Sequence, residues 1–199
     1  MTSQKLKTEK ARFENIAQAV GRKYGYERVG VEISAFSDFK FKWTRSYKWA
    51  DFNCSDYLVG APDEVIEDIF DVVFGRITGE NNRPYSSATT DFLTAKKFAS
   101  AHRKTYLSRH KAESEMFREF HGTHVHFSKN VMNPYSVGYA STLMNTIVLN
   151  PLLKREREEV IENAIAHEYN IIQEGLDNFG VKGEPVPCDT EVLKGYDLL

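Results

Sequence analysis

Apolar positions fall at helical spacing over residues 4–24, where Leu6, Phe13, Ile16, Ala17 and Val20 predict one buried stripe. Gly25 and its polar neighbours end that element. VGVEISAF, residues 29–36, then alternates Val29, Val31 and Ile33 with smaller or polar residues, the period of a half-buried strand. FKFKW at 39–43 sets Phe39, Phe41 and Trp43 on one face and Lys40 and Lys42 on the other. A short Ser-Asp turn separates the two strands, so they predict a hairpin. In the next segment, residues 51–79, Pro62 suits a first helical turn and Asp63 and Glu64 suit the positive end of the helix dipole. Val65, Ile69, Val72 or Val73, and Ile77 form its apolar stripe, and Gly79 closes it.

The pattern loosens after that. ENNRPYSS at 80–87 reads as a loop. Residues 90–120 are charged and helical in part, and KKFASAHRKTYLSRHK holds eight Lys, Arg or His residues in sixteen. Such a run is either a solvated helix face or a local surface for phosphate or nucleic acid, whose binding would depend on salt. GTHVHFS at 122–128 predicts a strand. Residues 133–151 offer a turn, a small-residue stretch and the strand TIVLN, and KREREEVIENAIAHEYNIIQEG predicts a long amphipathic helix with Gly175 near its stop. Segregated strands and helices favour an α+β fold over a regular βαβ plan.

With 199 residues the chain has the length of one domain with a sizeable core, here taken as 1–199 with a basic helical insert at about 90–120. A hydrophobic share of 41% and a charged share of 27% separate it from disordered chains. The formal net charge of −2 gives no bulk attraction to nucleic acid or membrane. Cys54 and Cys188 do not make a disulfide framework, the opening MTSQKLKTEKARFEN is too polar for a secretion signal, and no stretch has the apolar length of a membrane span. A cytoplasmic setting is the expectation.

The chemistry concentrates in AIAHEYNIIQEG, residues 164–175. Val160, Ala164, His167 and Ile171 lie at steps of four, three and four along one helix face. Two histidines four apart can grip one zinc ion, and a glutamate after the first can take a proton from metal-bound water. Here Glu168 follows His167, but the second histidine's position holds Ile171. HVH at 124–126 points His124 and His126 the same way on a strand, and His121 stands nearby. A chance cluster or a polar strand face accounts for these imidazoles better than a ligand set does, because nothing else completes a recognised site. GRITGENNRP has no phosphate-loop pattern, and Cys54 reads as a small buried side chain. Trp43 and Trp49 flank TRSYK, which fits hairpin packing or stacking on a nucleobase.

SVGYASTLMNTIVLNPLLKREREEVIENAIAHEYNIIQEG resembles the core of SprT-like and WLM-like zincins, in which a strand ending in Asn-Pro precedes the HExxH helix. SDYLVGAPDEVIEDIFDVVFGRI looks like the helix ahead of the strands in archaeal and bacterial members. The similarity spans roughly 29–79 and 136–195. It implies a zincin-like fold, with a small mixed or antiparallel sheet packed against the His-Glu helix. It also implies that His167 stands for the first zinc ligand and Glu168 for the catalytic base. Cys188 falls where the third ligand, a histidine, would stand, and thiolate is an acceptable zinc ligand. With Ile171 as found, the resemblance implies a degenerate, metallopeptidase-like protein without hydrolytic activity and without zinc. Its surviving cleft would bind an extended peptide or protein segment. The alternative is an active zinc peptidase using His167, Cys188 and Glu174 as ligands and Glu168 as general base. A further alternative is a nucleic-acid-associated protein acting through residues 96–111.

Overall fold

The computed structural model describes residues 3–133 and 136–194 and divides into two compact units, 1–92 and 93–199. The fold is mixed α+β, with small sheets packed against helices in each unit.

The first unit opens with α1 (Ser3–Lys23), which buries Phe13, Ala17 and Val20 at steps of four and three. Its sheet contains β1 (Arg28–Ser34), β2 (Phe41–Arg45) and β3 (Trp49–Ser55), in the order β1-β3-β2. The expected hairpin of residues 29–36 with 39–43 is not formed. β2 instead pairs antiparallel with β3, setting Phe41 opposite Cys54 and Trp43 opposite Phe52, while β1 runs parallel to β3. The physical reason lies in β3, which turns Ala50, Phe52 and Cys54 to one side and so offers the apolar surface that both neighbours need.

Residues 63–78 form α2 (Asp63–Thr78), with Pro62 at its N-cap and Gly79 in the left-handed conformation at φ 78° just past its end. Phe70 and Phe74 of α2 meet Phe52 edge to face at ring separations of 5.3 and 5.0 Å. The loop after α2 is drawn back onto it by Arg83, which bridges Asp68 at 2.8 Å and Asp71 at 2.7 Å. The helix α3 (Ser87–Thr94) follows.

The basic stretch is helical as α4 (Lys96–Arg109). The second unit's sheet comprises β4 (Arg118–Phe120), β5 (Thr123–Phe127), β6 (Gly138–Ser141) and β7 (Thr146–Leu149), in the order β4-β5-β7-β6. β5 and β7 are parallel in the middle, and each edge strand is antiparallel to its neighbour. Buried Asn150 ends β7. Its side-chain oxygen accepts from the Leu152 amide, and its Nδ2 donates to the Ser136 carbonyl, fixing the turn Pro151–Arg155.

The chain then enters α5 (Glu158–Asp177), and α6 (Thr190–Lys194) packs against that helix. Val125, Phe127, Ile147 and Leu149 project from the sheet onto Ile161, Ala164, Ile165 and Ile172 of α5, making the apolar core of this unit. Gly175 does not stop the helix, which runs two residues further. A Cβ at 175 would lie 1.9 Å from Thr142 Oγ1, so the missing side chain lets the helix approach the turn after β6. No described helix is long and apolar enough to cross a membrane.

Candidate functional site on the His-Glu helix

α5 divides its surface among three environments. The sheet side takes Ile161, Ala164, Ile165, Glu168 and Ile172, all buried. Successive helical residues turn by about 100°, so Glu168 points into this layer when His167 points beside it. Glu168 is 3% exposed, and its Oε2 has no hydrogen-bond partner. Burial pushes its carboxyl up to about 7, because the charged form loses water and gains nothing in return.

A second side is covered by the chain's own segment 183–189, laid antiparallel to the helix. The Gly183 amide donates to Asp177 Oδ1 at 2.8 Å, and the Glu184 amide to Gln173 Oε1 at 2.9 Å. Asn170 bonds Val186 twice, accepting from its amide at 2.8 Å and donating to its carbonyl at 2.9 Å. The Asp189 amide reaches Asn163 Oδ1 at 2.7 Å. The helix rises roughly 21 Å between 163 and 177, close to the roughly 20 Å covered by six extended residues. The match in length explains how one straight segment can be pinned at both ends.

Between the sheet and this segment lies a narrow third side with His167, Ile171 and Glu174. Val160 and Ala164, earlier on the same stripe, are fully buried. The α6 residues Val192 and Leu193 pack on the core cluster, and the bonds from Asn163 place that cover at the N-terminal half of α5. The stripe therefore opens at His167, which is half-buried, and Ile171 is 42% exposed. The expectation that His167 and Ile171 share a face holds, but Ile171 faces solvent and contributes little to the core.

The residues expected as ligands do not all meet. The Cys188 thiol donates to the Asn163 carbonyl at 3.4 Å, which sets it about one helical turn before His167. Burial and the charge of Asp189 push that thiol's pKa up, favouring the neutral form over the thiolate a metal needs. Glu174 is exposed and stands about 16 Å along the axis from residue 163. As arranged, Cys188 and Glu174 are too far apart to share one ion with ligand distances near 2 Å. Among the described residues no three His, Cys, Asp or Glu side chains form a group able to hold a metal ion.

The other imidazoles separate as well. His121 occupies the β4–β5 turn at φ 47° and packs on Phe120 and Tyr169. His124 and His126 lie on the opposite face of the sheet, with rings 6.4 Å apart and nearly parallel. There they meet Arg103 of α4, whose Nη1 is 3.2 Å from His124 Nε2 and whose Nε donates to the Met144 carbonyl and to Thr146 Oγ1. The sequence reading did not single out Arg103. The signal was its spacing, since Ala99, Arg103 and Tyr106 stand at steps of four and three on the side of α4 that is otherwise buried.

Compared with family models, curated proteins and solved structures, the chain matches none.

Proposed function

We propose that the second unit is a metallopeptidase-like domain that no longer hydrolyses peptides and instead holds an extended peptide along the edge of β6. The observation that carries this reading is the setting of β6 beside the open side of α5. β6 ends the strand order, and among the described residues no strand pairs with its outer edge. The Asn150 amide donates to the Val137 carbonyl, so by alternation Tyr139 and Ser141 face β7 while the Gly138 and Ala140 backbones face outward. Gly138 is buried and its carbonyl accepts from Ser136 Oγ at 2.7 Å, which leaves the Ala140 groups to an added strand. Those groups are the means by which an added strand is recognised without regard to its side chains. The zincin-like resemblance sets substrate along the strand that ends in Asn-Pro, which is β7. Both edges of β7 are paired, with β5 and with β6, so the edge left on this side is that of β6. The buried, unpartnered Glu168 supports the loss of hydrolysis, because a general base must reach the water it activates.

A second reading keeps a zinc peptidase with His167 and Cys188 among its ligands, favoured by Cys188 standing one turn from His167. One experiment separates the two: unfolded casein added to the isotopically labelled protein, with zinc present. The proposal expects intact casein and a shift at the Ala140 amide, with Tyr139 and Ser141 little changed. Casein cleavage that disappears in Glu168→Gln would establish the peptidase instead.

A further inference from the structure

The face of the sheet opposite α5 carries a cavity of about 640 Å³ between α4 and β5, within the range of small-molecule sites. Its polar lining is one-sided. Arg103, Lys104 and Lys129 contribute cations, His124 and His126 contribute imidazoles, and among the described residues no Asp or Glu lines it. Leu107, Ala112 and Met116 give it an apolar wall.

Arg103 is the decisive residue. Arg12 pairs with Glu9 and Asp63, Arg83 with Asp68 and Asp71, and Arg118 with Glu158. Arg103 is partly buried and, among the described residues, has no carboxylate partner. Burial alone shifts its pKa, downward, with no anion to offset the loss of water. Its bonds to Met144, Thr146 and His124 employ its Nε–H and one Nη1–H, leaving three of the five N–H groups of a guanidinium unused. A desolvated cation without a counter-charge is unfavourable, and a bound anion relieves it.

His126 stands at the same wall. It is 3% exposed, its Nδ1 is held by the Glu113 and Glu115 carbonyls at 3.1 and 3.0 Å, and its enclosed Nε2 has no partner. The Nδ1 bonds fix the ring with Nδ1 as donor, so Nε2 is an acceptor that adds no attraction for an anion, and the cations alone supply it.

From a guanidinium with no carboxylate partner and a cavity with no carboxylate lining, both among the described residues, we propose that this face binds a small organic anion. Its phosphate or carboxylate group sits on Arg103 with Lys104 and Lys129 at the rim, and its apolar body rests on Leu107 and Met116. The site is independent of α5 and of the peptide edge.

The test is titration of the whole protein with phenyl phosphate, benzoate and inorganic phosphate, followed by the imidazole carbon-bound proton signals of His124 and His126. Phenyl phosphate is expected to shift both rings with a Kd on the order of 0.1–1 mM. Inorganic phosphate should bind at least several-fold more weakly, and benzoate's rank against phenyl phosphate tells whether phosphate or carboxylate is preferred. Arg103→Met should abolish binding. Because that variant also loses internal bonds, the exposed pair Lys104→Glu and Lys129→Glu provides a second test, with roughly tenfold weakening expected.

Unmoved histidine signals at 10 mM phenyl phosphate, or binding indifferent to the lysine pair, would overturn the proposal. So would tight binding of an oligothymidylate that is lost on changing Lys96 and Lys97, which lie outside the cavity. That result would assign the basic helix to nucleic acid.

Discussion

The two faces of the second unit's sheet are built from the same strands and solve burial differently. Towards α5, β5 and β7 send Val125, Phe127, Ile147 and Leu149 into a dry layer held by packing. Towards α4 the alternate residues include His124, His126 and Thr146, held by hydrogen bonds to Arg103 and to backbone carbonyls. The difference assigns ionisable groups opposite meanings. On the apolar face Glu168 is an unsatisfied carboxyl that burial pushes towards neutrality, whereas on the polar face Arg103 is a charge kept without its counter-charge.

Changes chosen from each face sharpen this contrast. Ile147→Ala empties a fully buried site on the apolar face and should lose about 3–4 kcal/mol in urea unfolding. A loss below 1 kcal/mol would mean that the layer is loosely packed.

Glu168→Gln should act in the other direction and depend on pH. The folded carboxyl titrates at about 7 against an ordinary value of 4.5, so the folded state holds the extra proton between those values. The native protein therefore loses stability as pH rises from about 4.5 to 7 and stays at the lower level above, by about 3 kcal/mol in all. The Gln variant should lack this slope and be the more stable form at pH 8. Parallel pH curves for the two proteins would show that Glu168 is solvated.

On the polar face Thr146→Val keeps shape but removes the acceptor for Arg103 and the donor to Met144, which should lose about 1–2 kcal/mol. No loss would mean that packing alone holds that face. The smallest effect belongs to Ile171→Ser on the open side of α5, expected within about 0.5 kcal/mol of the native protein. A larger loss would show that this position is covered.

Local signals in the sequence located much of this fold. Pro62 and Gly79 mark α2 because backbone constraints act on single residues, and the alternation in THVHF placed His124 and His126 together for the same reason. What escaped depended on distant partners. β3 alternates as a strand should, but its Asp51 and Asn53 are weak strand formers, and its parallel partner lies beyond an intervening strand. The short turn at 37–38 therefore suggested a pairing that tertiary contacts override.

On α5 the order His-Glu reads as catalysis, yet which residue meets solvent is decided by β6, α6 and the segment 183–189. Gly175 looked like punctuation because nothing local announces Thr142 against it. Arg103 was hidden among seven other basic residues or histidines of the run 96–111, since only the sheet beneath α4 distinguishes it.

The most direct measurement is the titration of the Glu168 side-chain carboxyl carbon by NMR, with and without added zinc. A carboxyl enclosed in an apolar layer and remote from any metal should titrate near 7 in both conditions. A midpoint near 4.5 would show Glu168 to be solvated, and a fall on adding zinc would place it beside an ion; either result would contradict the silent-peptidase account.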